Sequence, residues 1–251
     1  MNLLDTQIIS YSFKGAYEGQ VMQQSISSVT AKEFLLVQGL ERTKANYYIP
    51  MPKAVNHLSE GSSGFPKRDH PFPKGSTDQI ILEFGNDYPA MIEFGNLAVS
   101  ETINLKAKQV FTASIQFLEK EKRKIIMDRF GFLLNQNITC LPLNKNTVEL
   151  GLNLFHEFLS RYNTKENFKN TVNDVFILAT AINTASTLVT KDSLLNRFAS
   201  EYCKASLKEV AGTLLIDFGK EKSIEIPKSR ESKGYINKGW RVQVRNYQGA
   251  W

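Results

Sequence analysis

Four carboxylates stand at places where they could share one task. Asp5 follows the apolar triplet NLL, and Glu33 lies one turn into the run that comes after SSVT. Asp174 opens the small, apolar run VFILATAI, and Asp192 follows STLVT by one residue. Each has an ordinary explanation when taken alone. An aspartate at a helix start caps backbone donors and meets the positive end of the helix dipole, and a glutamate in a helix is usually solvated. Asp5 resists this treatment most, because aspartate is depleted in strands and here sits between apolar pairs. Taken together at element ends, the four suit a hard divalent cation such as Mg2+ or Mn2+, which prefers a few carboxylates plus water. Carboxylates gathered this way repel one another, so without a cation at least one should hold its proton unusually tightly. The three histidines, His57, His70 and His156, have no metal-ligand spacing. Cys140 and Cys203 lie far apart and read as reduced, partly buried thiols.

Such acids need elements to carry them. Residues 2–4 and 8–9 read as a short apolar strand interrupted by Asp5 and Thr6. SISSV reads as an extended lead-in, with Ser28 or Thr30 capping a helix over 31–42 whose inner side is Phe34, Leu35, Val37 and Leu40. Five of the eight prolines fall between residues 50 and 73, together with GSSG and KGST, which marks a loop. QIILEF and MIEFGN flank GNDYPA as a hairpin turning at Asn86–Pro89. From about Ser100 to Leu134 the period is helical, as one long helix or two, with EKEKRK as a solvated face. ITCLPL is predicted as a strand, and residues 146–161 as an amphipathic helix capped by Asn146 or Thr147. Asp174 to Asn183 then gives a buried helix, STLVT a strand, SLLNRFASEYC a helix and GTLLIDF a last core strand. This alternation predicts an α/β layered fold with a mostly parallel sheet. Open sheets of that kind bind ligands just beyond the carboxyl ends of their strands.

Three stretches carry a family resemblance. LLDTQIIS, ISSVTAKEF and NDVFILATAI…LVTKD resemble motifs of the PIN-domain nucleases, the VapC-type toxin ribonucleases among them. The resemblance covers the beginning of the chain and roughly residues 137–218. It implies a three-layer α/β/α PIN-like fold over 1–218, with 43–100 as an insertion and 219–251 as a basic, aromatic extension. It further implies a metal-dependent endoribonuclease in which Asp5, Glu33, Asp174 and Asp192 are both catalytic and metal-binding. Mg2+ or Mn2+ would be the cofactor, with Thr6, Thr190 and Asn196 supporting the ligands. RNA would be the substrate, a protein antitoxin or regulator a partner, and a homodimer a common assembly. Two positions depart from the family pattern. Gln7 stands where Asn or Ser is frequent, and KDSLLNRF offers only Ser193 and Asn196 where a further acid is common. Glu101, in VSETINL, is a rival for the role of Glu33. Two readings remain beside the ribonuclease: a PIN-like RNA-binding or assembly module without catalysis, and a DNA-directed nuclease.

Charge adds one further expectation. The net charge of +6 is concentrated at the end of the chain, where Gly219 to Trp251 hold eight Lys/Arg against three Glu. Basic residues there alternate with Tyr235, Trp240, Tyr247 and Trp251. That is the pattern for phosphate neutralisation and base stacking on single-stranded nucleic acid, with Lys238, Trp240, Arg241 and Arg245 as the candidate contacts. The same pattern fits a strand that docks its aromatics onto the core. Lys67, Arg68 and Lys74 of the proline-rich stretch are further basic candidates. No apolar run approaches the roughly 18 residues of a membrane span, and no basic leader precedes MNLL, so a cytoplasmic protein without membrane attachment is expected.

Overall fold

Successive side chains of a strand face opposite ways, and the two leucines of β1 (Asn2–Leu4) enter two separate cores. Leu3 packs with Leu188 and Ile216 on one side of a sheet, and Leu4 with Ile26, Cys140 and Val189 on the other. A computed structural model of the chain describes residues 1–36, 79–85, 92–162, 168–219 and 233–245. Its central sheet has six strands in the order β5 (Thr139–Leu141), β2 (Ser25–Ser27), β1, β6 (Thr187–Thr190), β8 (Thr213–Asp217) and β7 (Ser206–Val210). The first four are mutually parallel, and β8 and β7 close the sheet as an antiparallel hairpin.

Helices cover both faces, which makes the fold a three-layer α/β/α arrangement on a mostly parallel sheet. On the Leu4 side lie α1 (Thr6–Phe13) with Ile8 and Ile9, α3 (Asn96–Asn104) with Val99, α4 (Lys108–Ser114) with Phe111 and α5 (Lys120–Asn135) with Phe130. On the Leu3 side lie α6 (Lys145–Arg161) with Phe155, α7 (Phe168–Asn183) with Ile177 and α8 (Ser193–Glu201) with Phe198. Helix α2 (Ser28–Phe34) leads out of β2 and sends Val29 to one core and Phe34 to the other. Burying a side chain such as Phe155 stabilises by about 1.5–3 kcal/mol, and the two cores cover the parallel strands β1, β2 and β6, whereas β7 at the margin is exposed.

A second sheet has three antiparallel strands, β4 (Ile92–Gly95), β3 (Gln79–Glu83) and β9 (Arg241–Arg245). It joins residues from the region read as an insertion to residues of the basic tail, and the short helix α9 (Gly234–Asn237) precedes β9. Trp240, at the entrance to β9, is 3% exposed and meets the rings of Phe84 and Phe155 at 5.4 and 5.3 Å.

Several boundaries differ from the sequence reading. TQII continues no strand: Asp5 caps a helix, so the apolar pair Ile8–Ile9 is helical. The helical region from Ser100 to Leu134 is three helices, because turns with Lys106 at φ 52° and a break after Ser114 divide it. Asn144, two residues before the expected cap, accepts from Thr147 N at 2.8 Å and starts α6. The hairpin β7–β8 is not legible in the sequence because its two-residue turn is Ala211–Gly212, with both φ positive. That turn usually advertises itself with Asn-Gly or Asp-Gly. The helix expected over 31–42 with Ser28 or Thr30 as its cap is instead capped by Ser27 and ends at Phe34, where Leu35 is the C-cap and Leu36 turns to φ 58°. Residues 37–42, the proline-rich stretch with Lys67, Arg68 and Lys74, the turn at Asn86–Pro89, and Tyr247 and Trp251 lie outside the described residues.

Strand β5 forms one margin of the sheet, and α3 lies along it. Asn104 donates to Cys140 O (2.9 Å) and accepts from Cys140 N (2.7 Å); Asn96 donates to Leu143 O (2.8 Å) and accepts from Leu143 N (2.8 Å). Two side-chain amides therefore take the place of a neighbouring strand, which satisfies backbone groups that a margin otherwise leaves open.

Candidate functional site

The parallel strands β1, β2 and β6 end at the same edge, and the segment leaving each of them carries an acid. Asp5 comes directly after β1, Asp192 two residues after β6, and Glu33 in the second turn of the helix leaving β2. Helix α2 starts where it does because Ser27 caps it, its hydroxyl accepting from Thr30 N at 3.0 Å. Asp174 comes from α7. That helix begins at Phe168, six residues earlier than the sequence suggested, so Asp174 sits in its second turn and caps nothing. Of the two acids read as caps, Asp174 and Asp192, only Asp192 is one; Asp5, read as the end of a strand, caps α1.

Asp5 is 1% exposed. One carboxylate oxygen accepts from Thr6 N and the other from the Thr190 hydroxyl, both at 2.6 Å. The same Thr190 oxygen accepts from Asp192 N at 3.0 Å, which ties the two acid-bearing loops together. Asp192 caps α8, its Oδ1 accepting from Leu194 N (2.8 Å) and Leu195 N (2.9 Å). Glu33 is held at both oxygens: Thr6 Oγ1 donates to Oε2 and Asn173 Nδ2 to Oε1, each at 2.6 Å. Asn173 in turn accepts from Lys32 Nζ at 3.1 Å, and Lys32 is itself 3% exposed.

The four acids feel one another's charge. Burial pushes the Asp5 carboxyl up to about 6, against the pull of the Thr190 and Thr6 hydrogen bonds, and the charges of Glu33 and Asp192 add to the rise. Burial pushes Asp174 further, to about 9, with Asp5, Glu33 and Asp192 all repelling its charge. No hydrogen-bond donor among the described residues offsets that cost, so Asp174 is the least compensated acid of the group. Glu101 lies in α3 and is not among the charges that act on Asp5 or Asp174, whereas Glu33 acts on both. Among the described residues, no three Asp, Glu, His or Cys side chains have their donor atoms drawn together as a metal ion would hold them. Asp5, Glu33 and Asp192 each turn toward protein donors.

The other candidates separate into two groups. Thr6 and Thr190 hold Glu33 and Asp5 directly, and Asn196 lies one turn into α8 with its side-chain oxygen buried and without a donor among the described residues. The tail residues stand apart. Trp240 is buried under β9, so its ring is not open to a base; this corrects the stacking role considered for it and favours the docking alternative. Lys238 Nζ lies 5.9 Å from the centre of the Trp240 ring, Arg241 is exposed, and the backbone of Arg245 pairs with Gln79 at the end of β9. Lys32 and Asn173 were missed. The signal for both was a polar side chain inside a run otherwise apolar or small, SSVTAKEF and TVNDVFIL. Comparison with known proteins adds no assignment: no family model, no curated protein and no solved structure matches this chain. Among the described residues no helix is long and apolar enough to cross a membrane.

Proposed function

We propose that the chain is a divalent-metal-dependent endoribonuclease of the PIN-like kind, with Asp5, Glu33, Asp174 and Asp192 as its acid centre. One observation carries the reading. Four acids from four separate stretches of sequence stand close enough at the carboxyl edge of a parallel sheet for three of them to help raise the fourth, Asp174, to about 9. Stability alone does not call for such an arrangement, since like charges gathered in a half-buried site repel one another and cost free energy. The donor set is all oxygen and suits a hard cation. The uncompensated carboxyl of Asp174 is the group that a cation would satisfy.

Mg2+ or Mn2+, when bound, would supply an acidified water and positive charge for the leaving oxygen. The chain's own contribution is placement. Thr190 holds Asp5 and the Asp192 loop in one frame, and Thr6 and Asn173 fix the plane of the Glu33 carboxylate. Such outer partners orient ligands and sharpen affinity. Asp174 releases its proton as its charge becomes compensated, which couples loading of the site to pH. RNA as substrate, a protein antitoxin or regulator as partner, and homodimerisation belong to the same proposal through the motif resemblance.

A second reading, a binding or assembly module without catalysis, draws support from the protein donors that already engage both oxygens of Asp5 and of Glu33. Incubating the purified chain with single-stranded RNA and DNA of one sequence, in Mn2+, Mg2+ or EDTA, separates the readings. Cleavage of RNA that needs the cation and drops at least ~100-fold in Asp5→Asn and Asp174→Asn is expected. Cleavage of DNA alone would redirect the assignment to a DNA nuclease. Unchanged activity in both variants would sink the acid centre. Toxicity on expression, relieved by the same variants, would support the toxin role.

A further inference from the structure

We infer that Lys32 and Asn173 form a positioning pair that sets the Glu33 carboxylate for cation binding. The inference rests on the acid-centre reading above and extends it to two residues whose identity the chemistry of the acids alone does not explain. An ammonium has three donors and no acceptor. The atom of Asn173 that faces Lys32 Nζ at 3.1 Å must therefore be its oxygen, whatever way an isolated amide might turn. The amide nitrogen of Asn173 then necessarily faces the other way, and there it donates to Glu33 Oε1 at 2.6 Å. Thr6 holds Oε2 at the same distance. A glutamate with three rotatable side-chain bonds is thus held at both oxygens, and a buried lysine on the far side of the amide braces one of those contacts in the polarity the carboxylate needs.

Burial makes the device effective. Lys32 and Asn173 are 3% and 4% exposed, so bulk water is poorly placed to substitute for either contact. Long-range pairing makes it specific: Asn173 is 140 residues from Glu33 and immediately precedes Asp174. The pair therefore couples the α2 acid to the α7 acid, and a shift of either helix is felt at both. With Lys32 replaced by a side chain that does not donate, the buried Asn173 oxygen loses this donor, the amide is no longer braced from behind, and its hold on Glu33 Oε1 loosens. Glu33 then leaves its held rotamer, and ordering it costs free energy at the moment of binding.

Mn2+ binding read by calorimetry and by electron paramagnetic resonance tests this without relying on turnover. Wild type, Lys32→Met and Asn173→Ser are compared, with circular dichroism and Tm as controls for folding. Lys32→Met is expected to weaken Mn2+ binding about 10–100-fold, the scale for losing an outer partner of a ligand. It should raise the Mn2+ concentration for half-maximal RNA cleavage in proportion and leave the rate at saturating Mn2+ within about threefold. Asn173→Ser, which is too short to reach Glu33, should match it and serves if Lys32→Met does not fold. Folded variants that bind Mn2+ as tightly as wild type overturn the positioning pair while leaving the acid centre intact. A wild-type chain that binds no Mn2+ overturns both.

Discussion

Replacing Asp174 with asparagine should make the protein more stable and less competent, and the amount depends on pH in a defined direction. The Asp174 carboxyl titrates at about 9 in the folded chain against 3.8 when unperturbed. The folded state therefore binds this proton more tightly than the unfolded state, so between those values ionisation favours unfolding. The contribution is intact below about 4, is lost progressively as pH rises, and levels off above about 9. At about 1.4 kcal/mol per pH unit, the ceiling on the cost at pH 8 is about 6 kcal/mol. Asp174 is only partly shielded, and effective dielectrics near 20 describe such sites better than a dry interior, so we expect about 2 kcal/mol to survive. For a chain of this size that is roughly 4–8 °C in Tm. Asparagine removes the ionisable group at nearly constant shape and forfeits no hydrogen bond among the described residues. Differential scanning calorimetry in EDTA should show Asp174→Asn melting above wild type at pH 8, with the gap closing toward pH 5. In millimolar Mn2+ the order should narrow or invert, because only wild type gains from the cation. A variant no more stable than wild type at pH 8 in EDTA, or a gain equal at pH 5 and pH 8, would refute the reasoning.

Other expectations concern the surrounding contacts. Mn2+ binding near pH 7.5 should release about one proton, chiefly from Asp174, seen as a buffer-dependent calorimetric enthalpy; a buffer-independent enthalpy would show that Asp174 is already ionised. Thr190→Val keeps shape but removes the donor to Asp5 and the acceptor for Asp192 N; chemical denaturation should show a loss of about 1–3 kcal/mol, and RNA cleavage should fall with it. Trp240→Ala should cost about 3–5 kcal/mol by the same denaturation assay and leave the salt dependence of RNA affinity unaltered, since the ring lies in the core. Asn144→Ala removes the cap of α6 and should cost about 1 kcal/mol with activity retained.

The layered fold was legible because its strands are buried on both faces and read as short continuous apolar runs between helical periods. NLL, TLVT and TLLI all became strands of the central sheet. The acids were legible because aspartate is so poorly suited to its apolar surroundings in NLLDTQII and in NDVFIL. Boundaries were less legible, since propensity marks where a helix can start and tertiary packing decides where it does. The segment FKNTVN before Asp174 looks like a loop, yet Phe168 and Val172 are drawn into the core and extend the helix. The supporting network was invisible for a different reason. Nothing in the chain's order links Lys32 to Asn173, and only the fold brings them within 3.1 Å. The tail posed a true ambiguity, because an aromatic beside basic residues suits a base or a core equally, and burial alone decides.

The two margins of the central sheet are unlike. At one, the amides of Asn96 and Asn104 occupy the backbone of the β5 side, as a strand would. At the other, β7 pairs only with β8 among the described strands, and all five of its residues are exposed. A chain with one plugged margin and one open one is a terminator for strand-by-strand growth: a second copy added at β7 presents its own plug outward. Among the described residues, growth of the central sheet by pairing of β7 with β7 therefore stops at two chains.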